Sequence, residues 1–568
     1  MKRFFFVLCV VVAVTTLGFH AHYPYLDDPG LGKTGLVLVL VSLACAAILL
    51  APFRKGTEPE AVAVHRADLY FCLAALLLAL GLYLVGIRSA GPWTEETWWV
   101  EQSREILDGV RIHPIGFKGD HPANFQAWPA AFVLLVTRDP LLAVRLPGVL
   151  YALATACFCA GTVRLFRPRA LLLPSFVLAV FSLTLLYYSH SGWNEMSIVP
   201  FLISGQLYFF GRAALRRSSR ALLPLVFFAG FGFWTLYTPF AFSLIVLGGL
   251  AVLPSSRMPT RQKLLFGLAF LLIVAPTIGK AIEYPEVGLT RHEEFLKGGE
   301  WGRHFDERYR RLPTYAANFG TTLRHMLPPR DAIEEWNLAG VNLEATTSAL
   351  ALVGLLAGAV RFSWLQRSVL FGSFFLLLPG LVLSNPQASI WRELCLLPFP
   401  LILAGVGWSF LVDGIRGRAG GRWLAPSAGG ILIVLHLGIW THRYIWFELR
   451  DPGNPLGEAV LALHSETRRG VGDATGVAVP DTDGRLVWRY FNALEYGYPV
   501  PPLVFGSPEE LETPLRDRKV GAIVVPLQEA SPSREAVSGF LSGHQIRTTQ
   551  EAVLDRFGRP AGWIFFVP

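Results

Sequence analysis

Two adjacent glutamates, Glu95 and Glu96, follow a long apolar stretch and stand among tryptophans, in the sequence WTEETWW (93–99). A carboxylate in that position could act as the general base for a hydroxyl group, or hold a cation that meets an anionic substrate. The same residues also fit tryptophans anchored at a membrane interface beside ordinary solvated acids. The residue types and their spacing leave both interpretations open.

A second pair of polar residues lies further along the same segment, in GDHPANFQAWPAAF (119–132). Asp120 and His121 are adjacent, and both a carboxylate and an imidazole can bind a divalent metal ion. Two neighbouring residues are a weak metal signal, because a turn residue before an X-Pro step explains the same letters. A divalent ion of unspecified identity is therefore the one cofactor that the sequence suggests.

Three basic residues stand near the ends of other apolar stretches: Arg145, Lys280 and Arg392. A cationic side chain there could bind a phosphate, and arginine can do so with two parallel hydrogen bonds. The alternatives are side chains that extend to the interface, or ion pairs, of Arg392 with the adjacent Glu393 and of Arg145 with an acid of the outer loop.

The short segment SHSGWNE (189–195) places His190 and Glu195 between two apolar stretches. Titratable groups at membrane depth are costly to bury and tend to be functional, which makes both residues candidates for a site. A turn that lies fully in water would explain them equally well.

The elements that must position these residues are membrane helices. Of the 568 residues, 52% are hydrophobic and 16% are charged, and the mean hydropathy is +0.43. Soluble proteins have about 25% charged residues, so the composition excludes an ordinary soluble enzyme, a disordered chain and a fibrous one. Apolar runs long enough to cross about 30 Å of hydrocarbon recur along most of the chain. The predicted fold class is an α-helical polytopic membrane protein.

The hydropathy pattern predicts about thirteen transmembrane helices. They cover residues 4–19, 34–52, 69–87, 141–163, 171–188, 196–211, 221–236, 239–254, 264–281, 346–360, 368–384, 394–412 and 425–441. We expect the first to be a retained helix rather than a cleaved signal peptide, because no small-residue cleavage site follows it. Two long outer loops, 88–140 and 282–345, are the expected positions of functional residues.

Basic residues are distributed unevenly between the two sides of the predicted membrane. With the N-terminus inside, the inner segments contain 20 Lys and Arg against 4 Asp and Glu, whereas the outer ones contain 17 against 22. This distribution follows the positive-inside rule and predicts a cytoplasmic N-terminus, with both long loops on the outer face. The net charge of +8 therefore reflects topology and indicates no nucleic-acid partner.

The composition changes after about residue 443, where short apolar runs of strand length alternate with helical patterns. Such alternation predicts a small α/β domain over residues 443–568, on the extracytoplasmic side. The chain then divides into two additional N-terminal helices (1–68), a transmembrane catalytic unit (69–442) and this domain. The domain could bind an acceptor or a partner, or brace the site.

Five segments, read in order, resemble the motifs of C-type (GT-C) membrane glycosyltransferases. They are WTEETWWVEQSREILDG, DHPANFQAWPAAF, DPLLAVRLPG, SHSGWNE and WRELCLLPFP. The similar branch contains the protein O-mannosyltransferases and the lipid A aminoarabinose transferases, and the resemblance covers roughly residues 70–412. Two features depart from the family pattern. This chain has Glu-Glu where an Asp-Glu pair is usual, and His-Pro-Ala where a Lys- or His-Pro-Pro is common.

The resemblance implies a glycosyltransferase of a bacterial-type inner or plasma membrane. It implies transfer of a sugar from a polyprenyl-phosphate donor to a glycan, lipid or protein acceptor on the extracytoplasmic face, with inversion by one direct displacement. Glu95 is the first candidate for the base and Glu96 the second. The implied donor-phosphate ligands are His121, Arg145, Lys280 and Arg392, with Asp120 and His121 as metal ligands and His190 and Glu195 as further outer-face candidates.

Two functions of other classes remain as alternatives. A flippase or transporter of a lipid-linked sugar would need polar groups through the membrane midplane, whereas the charges of this sequence gather at the outer ends of the spans. A non-catalytic scaffold that displays the C-terminal domain would leave the tryptophan-flanked acids and the ordered motifs unexplained.

Overall fold

The computed structural model contains a bundle of helices and, near the C-terminus, a small sheet. The described residues are 2–23, 29–51, 66–85, 87, 94–110, 112–113, 124–190, 194–235, 237–252, 260–283, 319–320, 322, 343–384, 393–416, 421–450, 455–471, 476–480, 494, 503–505, 507–517, 519–526, 533–555 and 559–567.

The helices before the sheet carry the membrane part of the fold. They are α1 (Lys2–His22), α2 (Pro29–Leu50), α3 (Arg66–Leu84), α4 (Thr94–Leu107), α5 (Asn124–Thr137), α6 (Pro140–Phe166), α7 (Leu172–Val180), α8 (Leu183–His190), α9 (Asn194–Leu215), α10 (Leu222–Phe233), α11 (Tyr237–Val252), α12 (Thr260–Glu283), α13 (Ala345–Arg361), α14 (Trp364–Arg367), α15 (Ser373–Ser384), α16 (Pro398–Arg416) and α17 (Gly421–Arg450). A π-helical turn, Ser368–Gly372, joins α14 to α15.

Seven helices in the described part of the chain are long and apolar enough to cross a membrane, and α7 with α8 makes an eighth if the bent pair is one span. Five further apolar helices are shorter, namely α5, α10, α11, α13 and the part of α17 from Ser427 to His442. Four of these five coincide with predicted spans. The total of thirteen membrane crossings therefore stays a prediction.

Helix α5 lies inside the segment that the sequence predicted as an outer loop, 88–140. Its 14 residues include Pro129 and fall short of the 20 or so that a membrane span usually needs. One face of α5, with Ala127 and Ala130, packs against Trp99 of α4 and Val144 of α6. The helix is therefore part of the support for α4.

Contacts between helix ends define two sides of the bundle. On one side, Asp68 at the start of α3 accepts hydrogen bonds from the first backbone N–H groups of α7. Gln366 donates to the backbone oxygen of Phe166 at the end of α6, and Arg167 pairs with Asp413. Segments that the charge distribution assigned to the inner face thus share one side. Which side faces the cytoplasm stays a prediction.

The axes of α7 and α8 meet at an angle of 45° across a short break. Glu344, buried just before α13, accepts a 2.7 Å hydrogen bond from the backbone N–H of Leu183 at the start of α8. The hydroxyl of Tyr83 donates to the carbonyl of Val180 at the end of α7, at 2.8 Å. Backbone groups that the break leaves outside a regular helix are thereby satisfied inside an apolar bundle.

The C-terminal region has the alternating elements that the sequence predicted. They are α18 (Pro455–Val471), β1 (Gly476–Pro480), β2 (Leu503–Phe505), α19 (Glu512–Arg516), β3 (Val520–Pro526), α20 (Arg534–Gly543), β4 (Thr549–Leu554) and β5 (Pro560–Phe566). The strand order is β2-β1-β3-β5-β4, with β1 parallel to β2 and β3, and β5 antiparallel to β3 and β4.

Alternate residues of the central strands face two separate apolar layers. Val477 and Val524 belong to a cluster with Leu463 of α18, whereas Ile523 on the opposite face packs with Val537 of α20. This period of two is what a strand covered on both faces requires. On α18, burial and nearby Arg468 lower the pKa of His464 to about 4.

Leu141, in the first turn of α6, belongs to the apolar cluster between α18 and the sheet. The C-terminal region therefore contacts the end of α6 from which Arg145 projects. Its position on the extracytoplasmic side is still a prediction.

Candidate functional site

A buried ion pair joins α4 to α6 on the side of the bundle opposite to the Asp68 end of α3. Glu96 accepts two hydrogen bonds from Arg145, with Nε to Oε1 at 2.6 Å and Nη2 to Oε2 at 2.8 Å. Arg145 also donates through Nη1 to the backbone oxygen of Ile87, at 2.7 Å. The two side chains are 1% and 0% exposed. Because a two-point ion pair has a fixed geometry, it holds the first turn of α4 against the second turn of α6.

Helix α4 carries both candidate bases, and its neighbours fix its direction. Trp99 and Ile106 pack in one apolar cluster with α5 and α6, and the hydroxyl of Ser103 donates to the backbone oxygen of Trp99 at 2.6 Å. The helix ends at Leu107, and the turn that follows contains Gly109, whose φ is +74°. The backbone of Glu95 lies in the first turn of α4, whereas its side chain is outside the described residues.

Lys280 lies near the end of α12 and is 1% exposed. Helix α1 packs against α12 beside it, because Gly279 offers no side chain. A Cβ atom at Gly279 would stand 2.5 Å from the backbone oxygen of Leu17 and 2.9 Å from Cβ of His20. The predicted phosphate ligand thus lies at the contact between α12 and the first span.

Two histidines that the sequence did not single out occupy the same region. Nε2 of His20 lies 2.8 Å from Nε2 of His113, and both side chains are buried. A signal for His20 was present, because it ends an apolar run in FHAHYP (19–24), where a titratable group is unusual. His113 carried no such signal.

Other predicted residues have structural partners or lie outside the described ranges. His190 is buried and donates through Nε2 to the backbone oxygen of Tyr83 at 2.6 Å, which joins the ends of α8 and α3. Glu393 accepts a 2.7 Å hydrogen bond from Thr322. Outside the described residues lie Asp120, His121, Arg392 and the side chain of Glu195.

Metal binding at Asp120 and His121 stays a prediction for the same reason. Among the residues whose positions are described, no group of three His, Cys, Asp or Glu side chains is placed to hold a metal ion.

The structure thus brings together two of the predicted site residues, Glu96 and Arg145, and sets Lys280 against α1. The hydrogen bond between His20 and His113 connects the Glu96–Arg145 pair to the region of Lys280, because His113 follows α4 along the chain and His20 belongs to α1. Charged groups are buried where helices end on one side of the bundle. Such burial is expensive and is typical of functional sites in membrane proteins.

The apolar helices and the buried polar groups at their ends make the chain an integral membrane protein. Residues 120–279 match the family model of the dolichyl-phosphate-mannose-protein mannosyltransferases. The matched segment includes α5 to α11 and most of α12, and it contains Arg145. It confirms over this part of the chain the resemblance to C-type membrane glycosyltransferases.

Two further comparisons with known proteins do not identify a family. A solved structure of ArnT from Cupriavidus metallidurans, bound to undecaprenyl phosphate, aligns with 88% of this chain and 97% of its own, at 12% identity and a TM-score of 0.47. That score is too low to define the fold by itself. A search of curated proteins finds no match to the chain.

Proposed function

We propose that this protein is a membrane glycosyltransferase that moves a sugar from a polyprenyl-phosphate carrier to an acceptor on the extracytoplasmic face. The observation that carries the proposal is the family match over residues 120–279, because the family is described by its dolichyl-phosphate-mannose donor. The matched segment contributes Arg145 to the buried pair with Glu96, on the helix that carries Glu95.

In the proposed step, the acceptor hydroxyl attacks the anomeric carbon while the bond to the carrier phosphate breaks. The electron pair of that bond leaves with the phosphate oxygen, and the hydroxyl proton passes to a carboxylate base. One displacement inverts the anomeric configuration. The acceptor is a glycan, a lipid or a protein.

We assign the base to Glu95 rather than Glu96. Both oxygens of Glu96 accept hydrogen bonds from Arg145, and protonation of Glu96 would leave a buried guanidinium without its counter-ion. A carboxylate so paired is a weak base. Glu96 and Arg145 therefore act as positioning residues that hold the first turn of α4.

This assignment changes the role that the sequence suggested for Arg145. Its Nε, Nη1 and Nη2 atoms already donate to Glu96 and Ile87. We therefore propose Lys280, with His121 and Arg392, for the donor phosphate. An ammonium group there would stabilise the charge that the leaving phosphate develops.

The experiment uses purified full-length protein in lipid nanodiscs with polyprenyl-phosphate sugars labelled in the sugar. We expect transfer to an acceptor, or slow hydrolysis of the carrier, with at least one donor. Glu95→Gln should abolish this activity while the protein still inserts, and Glu101→Gln on the same helix is the matched control for loss of a charge. Movement of the carrier across vesicles without transfer from any donor would support a flippase instead.

A further inference from the structure

The first span takes part in a buried hydrogen-bonded pair with a residue that follows α4. His20 and His113 meet through their Nε2 atoms at 2.8 Å, and the side chains are 0% and 1% exposed. The two residues stand 93 positions apart in the chain. Because both side chains are buried, loss of one partner would leave a buried polar atom of the other unsatisfied.

The direction of this hydrogen bond follows from the other nitrogen of His20. Nδ1 of His20 lies 2.6 Å from the backbone oxygen of Thr16, which can only accept, so Nδ1 carries a proton. In a neutral imidazole the second nitrogen is then an acceptor. His113 therefore donates from Nε2 to His20, and α1 fixes the tautomer of His113 as well as its position.

Helix α1 is itself held rigidly at this point. The hydroxyls of Thr16 and Ser42 are 2.9 Å apart, which joins α1 to α2 one turn below His20. On the other side, Gly279 admits the backbone of Leu17 so closely that any side chain there would collide with it. Lys280, the next residue, interacts electrostatically with His20.

The pair also fixes the far end of α4. Just after the helix ends at Leu107, the backbone N–H of Val110 donates to the carbonyl oxygen of Glu105 at 2.9 Å. Only a short stretch separates this turn from His113. Helix α4 is thus anchored at its first turn by α6, through Arg145, and beyond its last turn by α1, through His113.

We propose that His20 is a positioning residue of the transfer site, which acts through His113 to hold α4 and its candidate base in register with Lys280. The inference rests on the proposed function and adds a residue of the first span to the transfer site. The first span is then a component of the site rather than an addition in front of it.

The test compares three replacements of His20 with the full-length wild type. Glutamine can place an amide oxygen close to the position of the imidazole Nε2 and accept from His113, whereas asparagine and alanine cannot reach it. We expect His20→Ala and His20→Asn to lower kcat by about tenfold to a hundredfold, which corresponds to the loss of one buried hydrogen bond. The KM for the lipid donor should change little, and His20→Gln should recover most of kcat.

A double replacement separates this role from general destabilisation. If His20 acts through His113, the His20→Ala/His113→Ala protein should lose no more kcat than either single variant, measured per folded molecule. Wild-type kcat in His20→Ala, additive losses in the double variant, or a loss of kcat that only follows the folded fraction would overturn the proposal.

A readout that does not need activity keeps the inference distinct from the proposed function. A spin label at Asp108→Cys, an exposed position at the end of α4, reports the mobility of that helix, with Arg138→Cys after α5 as the control. Cys157, the exposed native cysteine, is first replaced by serine. His20→Ala should mobilise only the label at 108. Equal mobility in both backgrounds would reject the positioning role, whether or not the wild type transfers sugar.

Discussion

Removal of one member of the Glu96–Arg145 pair is expected to be far more damaging than removal of both. Glu96→Gln leaves a guanidinium charge in a site that is at most 1% exposed, with a neutral amide in place of its counter-ion. Breaking a buried pair in this way costs about 3–5 kcal/mol. Arg145→Gln leaves the carboxylate without the two hydrogen bonds of 2.6 and 2.8 Å, at a similar cost.

The double variant Glu96→Gln/Arg145→Gln removes both charges and lets two amides face each other. We expect it to recover much of the lost stability, so the coupling free energy between the two positions should exceed the loss in either single variant, which is about 3–5 kcal/mol. Thermal unfolding of the four proteins in one detergent, followed by tryptophan fluorescence, measures that coupling. Losses that simply add would refute the pair as a structural unit.

Transfer by the same four proteins, compared with transfer by Glu95→Gln, then distinguishes the two candidate bases. If Glu95 is the base and Glu96 positions α4, transfer should return in the double variant together with stability. A double variant that is stable but inactive, beside an active Glu95→Gln, would move the base to Glu96 and refute the assignment.

Three further predictions concern burial and packing elsewhere. The pKa of His464 is lowered from 6.5 to about 4, so the unfolded chain binds more protons than the folded one between these pH values. The C-terminal region should therefore lose about 3 kcal/mol of stability as the pH falls from 6.5 to 4. Unfolding at both pH values measures this loss, and an equal loss in His464→Gln would contradict it. Gln206 is fully buried, and its amide has no hydrogen-bond partner among the described residues. Because an unsatisfied buried amide is costly, Gln206→Met should raise the unfolding temperature. A lower unfolding temperature would show that the amide is needed. Gly279→Ala should destabilise the protein by about 1–3 kcal/mol, because the new Cβ would stand 2.5 Å from the backbone oxygen of Leu17. The control is Gly267→Ala on the same helix, where a Cβ meets nothing within 4 Å and this loss should be absent.

Local patterns of the sequence predicted most elements of this fold. The strands over Gly476–Pro480 and Val520–Pro526 are short runs rich in β-branched residues, of the kind that predicted the C-terminal α/β domain. Strand β4 (Thr549–Leu554) was missed because five of its six residues are exposed and its first three are polar, so it lacks an apolar run of strand length. Helix α5 was missed because it is shorter than a span.

The partners of the site residues could not be predicted in the same way. The sequence placed Arg145 near the outer end of a span and left a loop acid or a phosphate open as its partner, but the observed acceptor, Glu96, lies 49 positions earlier and nothing local singles it out. A phosphate and a carboxylate present the same kind of acceptor to a guanidinium. The partner was therefore decided by the packing of α4 on α6, which the sequence alone did not reveal.

The close contact of α1 with α12 has a consequence for biogenesis. Helices enter the membrane in the order of synthesis, so the segment with Leu17 waits for more than two hundred residues before Gly279 is made. Glu96 and Arg145 can pair much earlier. Assembly of this region therefore has two stages, an early one within the nascent chain and a late one that closes only after α12 has been inserted.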